Sequence, residues 1–279
     1  MTKILSALLG LVGAATLAAP ALAQHHDHGG APAGTTSGWT ALPMLRAMTT
    51  DRLASEISAI NLTAETFAVA APDGRTSTRP AQANKASVEP DGALGNYHLV
   101  SAREETDGHV HVASTVVYFP NPGPAPTAML EQPRGELEIV PTRLPREHNN
   151  YRAGDTGSFV VRADGKPWAG AQVRLETANG TKSRLTANGK GVVEIVFPSD
   201  FKPVEMRPVA EHGRPVSSAF VMAVEREVEG RHFLSTFSYR YSPNPFDGKS
   251  VWAGAGFALL GATLAIPLLR RRDAKKEVA

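Results

Sequence analysis

Between Thr63 and Tyr241 the apolar residues come in short runs, and Gly, Pro, Asn or Asp closes nearly every one. Runs this short suit strands, because a helix needs ~10–12 residues of sustained 3.6-residue periodicity to bury a stripe. The clearest pair is Tyr97 to Arg103 and Val110 to Phe119, two alternating runs on either side of Asp107-Gly108. Asp-Gly in a two-residue loop accepts the positive φ angles of a type I′ turn, which predicts a hairpin with a defined register. With Asp107 and Gly108 as central residues, Thr106 faces His109 and Glu104 faces His111. Tyr97, Leu99, Val110, Val112, Val116 and Tyr118 then share a core face, while Glu104, His109 and His111 share the other, with His98 farther from the turn.

The same grammar continues through Leu137 to Val140, Ser158 to Arg162, Gln172 to Thr177, Lys182 to Thr186, Val192 to Phe197, Val204 to Ala210, Ala219 to Glu225 and Phe233 to Tyr241. Gly165, Asn179-Gly180, Asn188-Gly189 and Glu229-Gly230 punctuate these runs at sandwich-like spacing. Residues 121–134, from Asn121 to Arg134, form a Pro-rich connector poorly suited to helix or central strand. The expected fold is therefore all-β, with two β-sandwich domains of Ig-like or transthyretin-like type at 43–120 and 135–245. Met44 to Ile60 carries Leu45, Met48, Leu53, Ile57 and Ile60 at mixed spacings, and a short helix leading into a strand is expected there.

The ends of the chain read differently. Residues 1–23 combine Lys3, an apolar run and Ala21-Leu22-Ala23, the pattern of a secretory signal peptide cleaved before Gln24. Val251 to Leu269 contains no charge and approaches the ~20 residues that span a bilayer as a helix. Arg270-Arg271-Arg272 follow, which predicts a cytoplasmic tail at 270–279 and a main body in the periplasm, held on the inner membrane by a single pass. Gly254, Ala258, Gly261 and Ala265 lie on one face of that helix and would let a second membrane helix approach closely.

Charge excludes one function class. Of the 29 Lys and Arg, Lys3 lies in the leader and five lie in the tail; of the 27 Asp and Glu, Asp273 and Glu277 lie in the tail. The body thus keeps 23 cations against 25 anions, without the clustered basic excess that nucleic acid requires. The chain has no cysteine, so thiol catalysis, disulfides and cysteine metal sites are excluded, and stability must come from buried area.

Candidate chemistry centres on histidine. Residues 24–42 begin with Gln24-His25-His26-Asp27-His28 and are poor in bulky apolar residues at first, which predicts a mobile His-rich arm. With Gln24 at the amino terminus, His26 is the third residue. A free amine, two deprotonated amides and its imidazole would make a planar four-nitrogen site of the kind Cu(II) and Ni(II) prefer, unless Gln24 cyclises. The alternative is a solvated polar segment. His109 and His111, ~6.5–7 Å apart along one strand face, form a second candidate site completed by Glu104; two polar residues on a solvent face is the simpler reading. His148, His212 and His232 are isolated in sequence and read as ordinary surface or core histidines. Met44 and Met48 at i, i+4 read as core rather than as soft Cu(I) ligands. No G-x-S-x-G elbow, H-E-x-x-H pair or phosphate-cradling loop is present, so no enzyme is expected.

Four segments occur in a telling order: Gly135-Glu136-Leu137-Glu138-Ile139-Val140-Pro141, Arg152-Ala153-Gly154-Asp155, Asp164-Gly165-Lys166-Pro167-Trp168-Ala169-Gly170-Ala171-Gln172-Val173 and Asn188-Gly189-Lys190-Gly191. Together they resemble the exported β-rich family associated with cobalt and nickel ABC-type uptake systems, catalogued largely as a domain of unknown function. The resemblance covers roughly residues 55–245 and is strongest over 135–200. Members of that family begin the mature chain with a His-Asp-Phe-Trp-like segment, replaced here by the His25-His26-Asp27-His28 arm, and no catalytic residue comes with the match. The resemblance implies a periplasmic accessory that binds a divalent transition metal, nickel or cobalt, and delivers it to the permease of a membrane transporter. Copper or zinc homeostasis, or a non-catalytic module that docks a membrane complex, are the alternatives the sequence leaves open.

Overall fold

A computed structural model describes residues 38–50, 53–90, 94–145, 150–203 and 216–245, and over these the turn-punctuated runs become strands. In chain order they are β1 (Met44–Thr49), β2 (Ser55–Ile60), β3 (Thr66–Ala70), β4 (Thr76–Pro80), β5 (Lys85–Val88), β6 (Asn96–Thr106) and β7 (His109–Phe119), then a short helix α1 (Thr127–Glu131). After it come β8 (Leu137–Pro141), β9 (Tyr151–Arg152), β10 (Thr156–Ala163), β11 (Lys166–Pro167), β12 (Gln172–Thr177), β13 (Lys182–Thr186), β14 (Val192–Val196), β15 (Ser218–Val228) and β16 (Arg231–Ser242). Strand accounts for 56% and helix for 3% of the described residues, which places them in the all-β class as a β-sandwich.

Three sheets result. The widest has nine strands, β13-β12-β15-β16-β7-β6-β3-β4 with β9 beside β16. One of its faces is covered by a four-stranded sheet in which β8, β11 and β14 all pair with β10. The pleat explains the packing: Phe220 and Met222 of β15, Phe233 and Phe237 of β16, and Val110 and Val116 of β7 point to that side and meet Ile139, Phe159, Val161 and Ile195. The other face is covered over β3, β6 and β7 by the three-stranded sheet β1-β2-β5, where Leu45, Ile57 and Val88 meet Phe67, Val100, Val117 and Phe119. β6 and β7 are thus apolar on both faces for most of their length, and each fully buried Val or Phe contributes about 1.5–3 kcal/mol. A slip of one residue would exchange these two sets, so packing on both sides fixes the register.

The hairpin register read from Asp107-Gly108 is the observed one, with Thr106 opposite His109 and Glu104 opposite His111. Its second face differs from a simple solvent face. His98, Val100, Ala102, Ala113 and Val117 are buried there, and only the turn end carries polar residues. The halves expected as separate domains share one sheet, because β16 pairs in parallel with β7 across the connector. Ser114 Oγ donates to Thr236 O at 2.8 Å and Thr115 Oγ1 to Ser238 O at 2.7 Å along this seam.

Two local expectations need correction. Met44 to Ile60 forms no helix; β1 and β2 are an antiparallel pair, and β2 pairs with β5 on its other edge. Backbone pairing on both sides of β2 decides between the ambiguous spacings. Met44 and Met48 consequently stand about 13 Å apart along a strand, the first buried and the second exposed, and cannot share an ion. In the Pro-rich connector, Pro126 precedes α1 and the buried Met129 and Leu130 anchor it to the core. Arg162 Nη2 donates to Leu130 O at 2.8 Å and Arg134 caps Met129 O, so arginines satisfy the helix's free carbonyls. The signal peptide, residues 24–37 of the arm, residues 204–210, the span at 251–269 with Gly254, Ala258, Gly261 and Ala265, and the basic tail lie outside the described residues, while Trp39 and Leu42 at the end of the expected arm pack against Met44, Ile60 and Val221. Among those described, no helix is long and apolar enough to cross a membrane.

Candidate metal centre

Two tight turns meet at one end of the wide sheet. Asp107 and Gly108 have φ of 49° and 79°, and Glu229 and Gly230 have φ of 51° and 74°. Both turns need two consecutive positive φ values, which Gly supplies at little cost at the second position. The parallel pairing of β7 and β16 brings them side by side, and His232 N donates to Gly108 O at 2.9 Å. The strands leaving these turns therefore start in step.

That step lines up histidines. In the first row across the sheet Thr106, His109, His232 and Glu227 stand next to one another on β6, β7, β16 and β15. In the second row the order is Glu104, His111, Leu234 and Glu225. Residues opposite one another in adjacent strands share a face, so three imidazoles and three carboxylates project to one side of this end. The His109 and His232 ring centres are 5.5 Å apart, and those of His109 and His111 are 6.4 Å apart. His111 Nδ1 lies 4.0 Å from Glu104 Oε2. Glu225 is engaged by Arg174.

The electrostatics favour neutral imidazole at His111. Burial pushes its pKa down, and the neighbouring His109 and His232 act in the same direction, outweighing the opposite pull of Glu104 and Glu225. A neutral ring is the form that ligates a metal, so less proton competition arises here than at an exposed histidine. His232 Nδ1 is buried and has no hydrogen-bond partner. The opposite face of the same sheet end is occupied by ion pairs: Arg103 bridges Glu105 and Glu136, and Arg231 meets Glu105. Charge on the two faces is thus sorted into a cationic–anionic ladder on one side and imidazole with carboxylate on the other.

Of the residues singled out in the sequence, Glu104, His109 and His111 are brought together, and His25, His26, Asp27 and His28 lie outside the described residues. His232, read as an ordinary histidine, is the member that sequence reasoning missed. The two histidines share only closeness to a turn, His109 directly after Asp107-Gly108 and His232 two residues after Glu229-Gly230, and that spacing does not say that the turns will lie side by side. Among the described residues no group of three or more His, Cys, Asp or Glu side chains could hold a metal ion as the side chains stand, so any ion here requires them to move. The donor types nevertheless match nitrogen-preferring divalent ions. Elsewhere, a pocket of about 550 Å³ between α1 and Thr142–Pro145 is lined by Tyr97, Thr127, Leu130, Glu131, Arg143 and Leu144.

No protein-family profile matches the chain, and no curated protein matches it. Among solved structures it is similar to a segment of a 1.5-MDa bacterial ice-binding adhesin, with 16% identity, a TM-score of 0.24, and coverage of 72% of this chain and 64% of that one. A Ca²⁺-stabilised ice-binding adhesin from an Antarctic bacterium gives 16% identity, a TM-score of 0.24, and coverage of 76% and 50%. A pair of fibronectin type III domains from chicken tenascin gives 10% identity, a TM-score of 0.23, and coverage of 71% and 97%. The chain thus spans about half to two thirds of the two adhesin structures. Overlap at this level assigns no function.

Proposed function

We propose that this chain is an exported, non-catalytic β-sandwich protein, anchored by a C-terminal membrane helix, that binds a divalent transition metal and presents it to a membrane transporter. The single observation that carries the reading is the meeting of Glu104, His109 and His111 on one face of the sheet end, where the sequence register puts them. Nickel or cobalt is the expected cargo from the family resemblance, and the His25-His26-Asp27-His28 arm would act as a collecting segment close to the membrane. An anchor raises the effective concentration of cargo near a permease without requiring a tight complex.

Calorimetric titration of the full-length protein with Ni(II), Co(II), Cu(II) and Zn(II) tests this. The expected result is saturable binding that falls in stoichiometry when either His25, His26 and His28 or His109 and His111 are replaced by Ala. Absence of any binding tighter than ~100 μM, equivalent to about −5.5 kcal/mol, would sink the reading and favour a docking module.

A further inference from the structure

The geometry points to His232 as the third protein ligand of a site with His109 and His111, one that selects a tetrahedral divalent ion, Zn(II) or Co(II), over the planar ions. It rests on the metal-binding reading above and adds a ligand, a coordination geometry and a structural consequence.

Distances come first. With metal–nitrogen bonds of about 2.0–2.1 Å and tetrahedral angles, the centres of two ligating imidazoles lie roughly 5 Å apart. His109 and His232 are already 5.5 Å apart. His109 and His111, at 6.4 Å, need to close by about 1.4 Å, and His111 and His232, which are not in ring contact, must approach through the same movement. Side-chain rotation supplies this without moving the backbone, because residues i and i+2 of a strand lean from the same face and His109 is exposed. His232 offers a ring nitrogen with no hydrogen-bond partner.

Direction decides the ion. All three imidazoles rise from one face of a sheet, His109 and His111 on β7 and His232 on β16. Donors confined to one side of an ion cap it and cannot encircle it in a plane. A three-nitrogen cap with an open fourth position toward solvent suits Zn(II) and tetrahedral Co(II), whereas Cu(II) and Ni(II) favour tetragonal sets. The planar preference is met instead by the amino-terminal arrangement around His26. Glu104 Oε2 lies 4.0 Å from Nδ1 of His111, beyond hydrogen-bond reach, and on closing by about 1 Å would orient that ring and leave Nε2 for the ion.

A bound ion would also tie β7 to β16. These two strands form the parallel seam that joins the first half of the chain to the second, so metal occupancy should stabilise the folded protein by mass action.

The test uses the full-length protein with His25, His26 and His28 replaced by Ala, titrated with Co(II) and followed by visible absorption and thermal unfolding. Expected are the intense d–d bands of tetrahedral Co(II), their displacement by Zn(II), and a rise in unfolding midpoint. His232→Ala should abolish both the bands and the rise, as should His109→Ala, with far-ultraviolet circular dichroism showing that each variant is folded. Glu104→Gln should weaken binding by about 10- to 100-fold without abolishing it. If the arm variant binds no metal while the natural protein does, the strand site is overturned and the metal-binding reading survives. If His232→Ala keeps full-strength bands, His232 is no ligand. Weak octahedral Co(II) absorption would overturn the tetrahedral assignment.

Discussion

Ser238→Ala tests how the three-stranded sheet is held to the nine-stranded one. Ser238 is buried on β16, and its Oγ donates to Leu45 O at 2.7 Å and accepts from Leu45 N at 3.2 Å. Leu45 is a buried residue of β1, an edge strand of the three-stranded sheet, so one hydroxyl replaces the missing neighbour strand at that point. Removing it leaves a buried donor and a buried acceptor without their partner. Each buried unpaired group costs about 1–3 kcal/mol, and allowing for partial relaxation the pair should cost about 2–4 kcal/mol. For a body of ~150–250 residues this corresponds to a fall in unfolding midpoint of roughly 4–16 °C. Urea unfolding of the full-length protein, followed by circular dichroism, gives the difference directly. Thr78→Ala, on exposed edge strand β4, serves as the comparison and should stay within about 0.5 kcal/mol of the natural protein. A loss below about 1 kcal/mol for Ser238→Ala would refute the argument that this hydroxyl completes the β1 edge.

Other expectations follow from the packing and the charges. Burial raises the pKa of Asp200, but hydrogen bonds from Tyr241, Thr181, Asn179 and Thr177 outweigh it and hold the carboxyl below its usual value. The stability it contributes is present above the unfolded pKa of about 3.9 and is lost as pH falls through the lower folded value. Asp200→Asn should therefore flatten the acid limb of the stability profile below about pH 5, and an unchanged acid limb would contradict this. Gly157→Ala places a Cβ 2.8 Å from Phe197 Cε2, so it should overpack the core by about 1–3 kcal/mol in denaturant unfolding, and a neutral effect would show the ring free to move. Glu105→Ala removes exposed ion pairs to Arg103 and Arg231, which solvent and salt screen, so the unfolding midpoint should stay close to that of the natural protein at high salt, and a clear fall there would contradict this.

Much of the local structure is legible in the residues. Asp107-Gly108 fixes a two-residue turn, and alternation on each side then dictates which side chains face Glu104, His109 and His111. β12 and β13 match the runs Gln172 to Thr177 and Lys182 to Thr186, because Asn179-Gly180 leaves little choice about where the chain reverses. What stayed hidden depends on partners distant in sequence. The burial of Val100 and Ala102 on the second hairpin face comes from β1, β2 and β5, whose own sequence reads ambiguously between helix and strand. α1 forms within a Pro-rich segment because Met129 and Leu130 find a place in the core and two arginines close its carbonyls. His232 joins His109 only through the parallel pairing of β7 with β16, and no local pattern around Arg231 to Ser242 announces which strand will lie beside it.

The most direct measurement is histidine-selective NMR of the full-length protein, with imidazole resonances assigned by substitution, during stepwise addition of Zn(II). The account predicts that the resonances of His109, His111 and His232 move together and saturate at one ion per site, while His98, buried against Phe119, stays in place. Metal-dependent shifts confined to His25, His26 and His28, or none at all, would contradict it.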